Sequence, residues 1–387
     1  MAQDKEILTF DPSHSAIAVD VRANVVTVSD LHIGMAHKEK VAGKGCISNK
    51  EIISGLKKII TEIGDKKENG KRSHLVLNGD IFEMLYCPKP SDVDIKPDEY
   101  QNKTHDKIRE KYIEILRDLI NTAKENNCTI HYICGNHDDN KKFVHHLLDL
   151  DKELNNGVEK GKENFLFHPV ALRLGTALFL HGDLALKYKK NVAARELNAQ
   201  KYKIATKETE EDLEENVIKN PFLNWRERIK NCAQQRVINV EKLANGVLHE
   251  PTEDTVNKSL FTRQNRIDKI LSSLLEDNNL IGTFEAQGIT KPASRICTGH
   301  THDGYLAVST SPEFLEKAPE LKETENNILF DNTGSGLSDR RIHAVQYLLD
   351  NDKVLKAEKI PAKIITGRKI EPINVDFEVA PEGFLRF

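Results

Sequence analysis

The sequence predicts an α/β fold: a largely parallel sheet covered by helices, a second sheet built later in the chain, and a helical insertion between them. Three observations carry this. Short β-prone runs alternate with amphipathic helical patterns through residues 24–136. Strand-like runs crowd the last third. Residues 184–293 instead repeat apolar side chains at helical spacing.

Taken in order, "NVVTVSD" (24–30) reads as a short buried strand. Ile52, Ile53, Leu56, Ile59, Ile60 and Ile63 follow at three- and four-residue spacing, the apolar stripe of a helix. "HLVLNGD" (74–80) is a second strand; Ile108, Tyr112, Ile115, Leu116 and Leu119 mark a second helix; "TIHYICGN" (129–136) is a third strand. Strand, helix, strand, helix, strand calls for parallel pairing through right-handed crossovers. "FHPVALRLGTALFLHGD" (167–183) reads as two strands around Gly175. "SRICTGH", "NILFDNTGSG" and "RIHAVQYLLDNDKVLKAEKI" supply later strands, the last a hairpin turning at "DND" (350–352).

The insertion opens with an acidic run, "ETEEDLEE" (208–215), that suits a solvated helix face. Phe222, Trp225, Ile229, Ala233, Val237 and Val240 then recur at helical spacing, as do Ile267, Ile270, Leu271, Leu274 and Leu275. These are core stripes of helices rather than a ligand box. The expected organisation is a core in two parts, residues 1–183 and 294–387, interrupted by a helical cap at 184–293.

The 387 residues are 30% charged with a net charge of -4, which excludes a basic nucleic-acid coat or an acidic tail. "MAQDKEILTF" lacks the basic and long apolar regions of a signal peptide, and no apolar run approaches the ~20 residues of a membrane span. Six cysteines without a C-x-x-C pair build neither a zinc ribbon nor a disulfide framework. The expectation is a reduced, cytoplasmic protein without a membrane span; export by a route that uses no signal leaves no mark at this level.

The chemistry gathers where strands end. Asp30 and His32 follow the first strand, Asp80 and Glu83 the second, Asn136 and His137 the third; His181 ends "ALFLH", and His300 and His302 end "SRICTGHTH". A polar turn explains any one of these alone. Five such ends, nearly all flanked by glycine, converge on one edge, because open α/β sheets bind ligands at the carboxyl ends of their strands. Carboxylate, imidazole and amide oxygen without thiolate suit Mn²⁺, Fe, Zn²⁺ or Mg²⁺. Two aspartates, the four histidines His32, His181, His300 and His302, and one asparagine exceed one ion's needs. Two ions about 3.5–4 Å apart use them all if one carboxylate bridges.

The ordered set D-x-H, G-D-x-x-[DE], G-N-H-[DE], a lone His after a strand, and G-H-x-H resembles the calcineurin-like metallophosphoesterase family. "DNTGSG" (331–336) is similar to a turn that often follows in that family. The resemblance implies a four-layer α-β-β-α sandwich of two facing sheets. It implies two divalent ions, manganese favoured: Asp30, His32 and His302 for the first, Asn136, His181 and His300 for the second, with Asp80 bridging. It also implies a phosphoesterase in which a metal-bridging hydroxide attacks phosphorus and His137, which is not a ligand, protonates the leaving group. Glu83 would orient His137 and raise its pKa.

Other polar residues read as structural. His37, His105, His145, His146, His168 and His343 are surface or satisfied buried histidines, His37 alone standing close enough to "DLHIG" to line a mouth. Asp138 and Asp183 hold loop backbone.

For the substrate, "GDIFE" lacks the arginine clamp of the eukaryotic-type Ser/Thr protein phosphatases, and the blocks look more like bacterial and archaeal members. The favoured substrate is a phosphomonoester, on a phosphoprotein or a small phosphorylated metabolite. The alternatives are a pyrophosphatase acting on UDP-diacylglucosamine, a phosphodiesterase or nuclease, and a catalytically inactive binding module. No strong nucleic-acid signal supports the nuclease, and the intact ligand set weighs against the inactive module. The insertion starts just after His181 and ends just before His300, so a cap governing access is expected. Arg195, Arg226, Arg228, Arg236, Arg263 and Arg266 are its candidate phosphate clamps or ordinary surface cations. The oligomeric state is not legible.

Overall fold

The computed structural model describes residues 10–19, 22–34, 49–65, 71–84, 104–135, 137–138, 141–182, 278–300, 305–309, 328–333, 337–338, 341–342, 344–351 and 353–360. In chain order these form α1 (Pro12–Ser15), β1 (Ala16–Ile17), β2 (Ala23–Val28), α2 (Asn49–Asp65), β3 (Ser73–Asn78), α3 (Thr104–Glu125), β4 (Cys128–Ile133), α4 (Lys141–Asn155) and β5 (Phe165–His168). Then come β6 (Ala171–Leu174), β7 (Ala177–Leu180), α5 (Asn278–Ile281), β8 (Arg295–Thr298), β9 (Tyr305–Ser309), β10 (Leu329–Asn332), β11 (Leu337–Ser338), β12 (Arg341–Ile342), β13 (Ala344–Leu349) and β14 (Val354–Ile360).

The first sheet has the order β14-β13-β2-β3-β4-β5. Its four strands from β2 to β5 run parallel, and the β13–β14 hairpin, legible in the sequence, joins antiparallel to β2. These strands read as continuous apolar runs because both faces are covered. Val26, Val28, Leu75, Leu77, Ile130 and Tyr132 face helices, meeting Ile52, Leu56 and Ile60 of α2, Ile108, Tyr112 and Leu116 of α3, and Phe143, Leu147 and Leu150 of α4. Val25, Val76 and Ile133 face the other way and pack with Leu172, Leu174, Phe179 and Cys297 of the second sheet. The two sheets therefore lie face to face. Helix α4, absent from the sequence reading, covers the end of the first sheet.

The second sheet, β1-β6-β7-β8-β10-β9, is mixed. Here the sequence reading needs correction. "FHPVALRL" is not one strand: Phe165–His168 completes the first sheet and Ala171–Leu174 starts a hairpin in the second. Pro169 stands at the break, lacking the N–H that a continuing ladder needs. Gly175 at φ 53° makes the turn between β6 and β7.

The chain divides into two compact units, residues 1–184 with 274–387 and residues 185–273. The second unit lies outside the described residues, as do all the helical stripes expected of the insertion. Residues 278–291 pack on the second sheet. Arg173 of β6, fully buried, donates from Nε to the carbonyl of Gly175 (2.6 Å) and from its terminal nitrogens to those of Leu280 (3.2 Å), Ile281 (3.1 Å) and Lys291 (2.8 Å). Among the described residues no helix is long and apolar enough to cross a membrane.

The packing between the sheets includes a row of histidines. His74, His131 and His168, on adjacent strands β3, β4 and β5, join ring to ring. Nδ1 of His74 is 3.0 Å from Nε2 of His131, Nδ1 of His131 is 3.1 Å from Nε2 of His168, and Nδ1 of His168 is 2.9 Å from the Ser15 hydroxyl. Each ring pair needs one donor and one acceptor, which neutral imidazoles supply. Burial pushes His74 down to about 4 and holds His131 and His168 well below the usual histidine value.

The sign of the pH effect follows. The unfolded chain protonates these histidines below about pH 6.5, whereas the folded row stays neutral, so stability is lost as pH falls through that value. Each contributes about 1.4 kcal/mol per pH unit. His14 opposes the trend: its hydrogen bond to Asp151 (3.0 Å) raises its pKa and stabilises the fold at low pH. The urea midpoint of the metal-free protein is expected to begin to fall between pH 7.5 and 6.5 and to drop clearly by pH 5.5. A flat profile to pH 5.5 would contradict a neutral row.

Candidate metal centre

The first two motifs are set side by side by backbone pairing that outlasts the strands. The N–H of Asp30 donates to the carbonyl of Gly79 (3.0 Å), His32 to Asp80 (2.9 Å), Ile33 to Ile81 (2.8 Å), and Glu83 back to Ile33 (2.9 Å). Within this frame Asp30, His32 and Asp80 adopt left-handed backbone, at φ 54°, 45° and 53°, and so does His300 at 65°. For side chains with a Cβ this costs about 1–2 kcal/mol each, and such outliers cluster where function over-determines the backbone. Here the turns bring Asp30, His32 and Asp80 together, and His300 to Asp80. Neighbouring glycines make room: a Cβ on Gly79 would lie 2.4 Å from Nδ1 of His181, and one on Gly135 would lie 2.3 Å from the nitrogen of Asp80.

Asp80 stands at the centre. Its Oδ1 accepts the N–H of His137 (2.8 Å), and its Oδ2 is 3.1 Å from Nε2 of His181. Burial alone would raise its pKa, but the His181 and His137 interactions outweigh burial and hold the carboxyl far below the usual range. His181 donates from Nδ1 to the carbonyl of Asn78 (3.0 Å), which turns Nε2 toward Asp80; without a metal Nε2 carries the proton that faces the carboxylate, and a metal would take that proton's place. That is how a metal-ligating imidazole is commonly held. Asp30 accepts the His300 N–H at 3.1 Å on each oxygen.

Two groups result. Asp30, His32 and Asp80 converge with ligand atoms within 4.8 Å of one another, and so do Asp80, His181 and His300. Both consist of carboxylate and imidazole, and Asp80 belongs to both. The donor set, the shared carboxylate and the fixed tautomer of His181 fit a pair of divalent ions. The other two expected ligands, Asn136 and His302, lie outside the described residues.

Beside this centre Glu83, fully buried, lies 2.9 and 3.1 Å from Nδ1 of His137 through its two oxygens. The His137 side chain is 18% exposed and its Nε2 lies 4.0 Å from Asp80. Burial would lower the His137 pKa, but Glu83 outweighs burial and raises it. In return His137 and His32 hold the Glu83 carboxyl below its usual value against the effect of burial.

Several supporting residues were not named from sequence. Ser29 hydrogen-bonds both the Asp30 carboxylate and the Thr333 hydroxyl. Asn332 donates to the Thr298 hydroxyl (2.9 Å) and to the carbonyl of Gly299 (2.8 Å), bracing the backbone before His300. The sequence signal for Asn332 and Thr333 is "DNTGSG". Asp138 behaves as expected of a residue that holds loop backbone: it accepts N–H bonds from Phe82 (2.8 Å), Ile81 (3.2 Å) and Gly135 (3.3 Å), tying two motif loops together. Burial, and then the charge of Asp80, push its carboxyl up to about 7. His145 and His146 are exposed and His168 is a satisfied buried histidine. His37, Asp183, His343 and the His105 side chain fall outside the described residues.

A family model described as calcineurin-like phosphoesterase matches residues 23–304. Among curated proteins no relative matches.

Proposed function

Because the chain belongs to the calcineurin-like phosphoesterase family, whose members are metal-dependent phosphoester hydrolases, we propose that it is a dinuclear-metal phosphatase acting on phosphomonoesters, on a phosphoprotein or a small phosphorylated metabolite. The observation that carries this reading is the sharing of Asp80 between two carboxylate–imidazole groups. Asp30, His32 and His302 are assigned to one ion, Asn136, His181 and His300 to the other, and Asp80 to both. The ions, when bound, offset the charge of the phosphate oxygens and acidify water to a nucleophile near neutral pH. Manganese is the ion we favour among Mn²⁺, Fe, Zn²⁺ and Mg²⁺, all of which take nitrogen and oxygen donors.

His137 is the general acid. Its Nδ1 faces Glu83, so Nε2 is the nitrogen that carries a proton to the leaving alkoxide. An alkoxide needs that proton more than a nucleotide leaving group does, which supports the monoester over a UDP-linked diphosphate. Buried free thiols at Cys128 and Cys297 support a reducing, cytoplasmic setting.

The test is kcat/KM for phosphopeptides, nucleotide monophosphates, bis-p-nitrophenyl phosphate and a UDP-linked diphosphate, all with Mn²⁺. The monoesters are expected to lead by about tenfold or more. A lead for the diester or the diphosphate would hand the site to the nuclease or pyrophosphatase reading. Two bound ions with no hydrolysis of any ester would make it a binding module.

A further inference from the structure

Glu83 faces two imidazoles. Besides His137, its Oε2 lies 3.3 Å from Nδ1 of His32, and the two rings meet edge to face with centroids 4.5 Å apart. Both histidines thus turn Nδ1 to the same buried carboxylate. A carboxylate is an acceptor with two oxygens, so it can receive an N–H from each ring. The three side chains also converge closely enough to hold an ion themselves. An ion there would need the Nδ1 lone pair of His32 while the main centre needs its Nε2, leaving that ring no proton at all. Two N–H bonds to Glu83 avoid this conflict.

We infer that Glu83 is a positioning residue for both halves of the chemistry: it holds Nδ1–H on His32, whose Nε2 then ligates, and on the His137 imidazolium, whose Nε2–H is the proton donated. Metal affinity at the His32 position and proton delivery by His137 are then coupled through one side chain. The inference rests on the roles given to His32 and His137 above.

The substitution Glu83→Gln separates this from a role in packing. Glutamine keeps the shape but offers one acceptor and one amide donor. Whichever ring faces the amide must accept at Nδ1 and move its proton to Nε2. Either way the anion that faces both Nδ1 atoms is gone: His32 loses the partner that keeps its proton off Nε2, and the His137 imidazolium loses its counter-charge. The main chain of residue 83 is held independently, its N–H by Ile33 and its carbonyl by the Tyr112 hydroxyl (3.1 Å), so the loop is expected to keep its course.

The experiment titrates Mn²⁺ into the full-length chain by calorimetry and measures kcat across aryl phosphates of differing leaving-group pKa. His137→Asn should bind Mn²⁺ as the wild type does. Glu83→Gln should weaken one of the two Mn²⁺ sites by about 10- to 100-fold and also steepen the leaving-group dependence. Glu83→Asp, an acceptor-only head on a shorter stem, should shift both readouts together. Wild-type Mn²⁺ affinity in Glu83→Gln, or movement of only one readout in Glu83→Asp, overturns the inference and leaves the phosphatase reading standing. A wild-type chain that binds no Mn²⁺ and hydrolyses no phosphate ester overturns the reading beneath it.

Discussion

Replacing Asp80 by Asn is expected to take the bound metal from about two ions per chain to less than one and to lower kcat by about 10³-fold or more, since metal ions supply several kcal/mol of transition-state stabilisation. The effect reaches both ions because both candidate groups contain Asp80. Shape is conserved: the amide oxygen can still accept the N–H of His137, as Oδ1 does now at 2.8 Å. The amide nitrogen then takes the place of Oδ2, 3.1 Å from Nε2 of His181. There it donates to the lone pair that a metal requires and brings no negative charge. One substitution therefore removes a ligand from both ions and blocks another. His32→Ala, which touches one group only, should reduce affinity at one position and leave the other measurable. Elemental analysis after dialysis, with calorimetric Mn²⁺ titration, checks both. An Asp80→Asn protein that retains two tightly held ions would show that the carboxylate does not bridge.

The contrast between Asp80 and Asp138 shows how far a sequence can be read. Both are buried aspartates in motif loops, and composition treats them alike. Asp80 could be singled out because it ends a strand between two glycine-flanked turns, in series with four other polar strand ends. Asp138 is distinguished by three backbone N–H donors that only the folded loops deliver. The left-handed backbone at Asp30, His32, Asp80 and His300 is equally invisible in a string of letters, because aspartate and histidine occur in many conformations. The histidine row is harder still. His74, His131 and His168 are separated by dozens of residues, and their meeting depends on the register that sets Val76 against His131 and Ile133 against His168. Helix α4 was legible in principle, since Phe143, Val144, Leu147 and Leu150 carry a helical stripe and are all buried. Pro169 likewise marked the break between β5 and β6 in plain sight. What sequence conveys well is periodicity and the chemical type at strand ends; what it conveys poorly is which distant side chain satisfies a buried polar atom.

His137→Asn is expected to keep both metals and the fold while lowering kcat for alkyl phosphates by about 10²- to 10⁴-fold, the usual contribution of a general acid. The main chain of residue 137 is anchored whatever the side chain, its N–H on Asp80 and its carbonyl receiving the N–H of Met84 at 3.1 Å. The asparagine amide can also donate toward Glu83, so the buried carboxylate is not stranded. What disappears is a proton on the far side of the ring, where Nε2 faces the centre 4.0 Å from Asp80. The loss must therefore scale with how much the leaving group needs protonation. p-Nitrophenolate leaves with little help and its phosphate should be hydrolysed at a rate much closer to that of the wild type. An alkoxide leaves poorly without a proton and should suffer the full loss. KM should change little for either, because a group acting only in the transition state lowers kcat and kcat/KM together. Equal losses for the aryl and alkyl esters would remove His137 from the acid role and leave it a part in binding the phosphate oxygens.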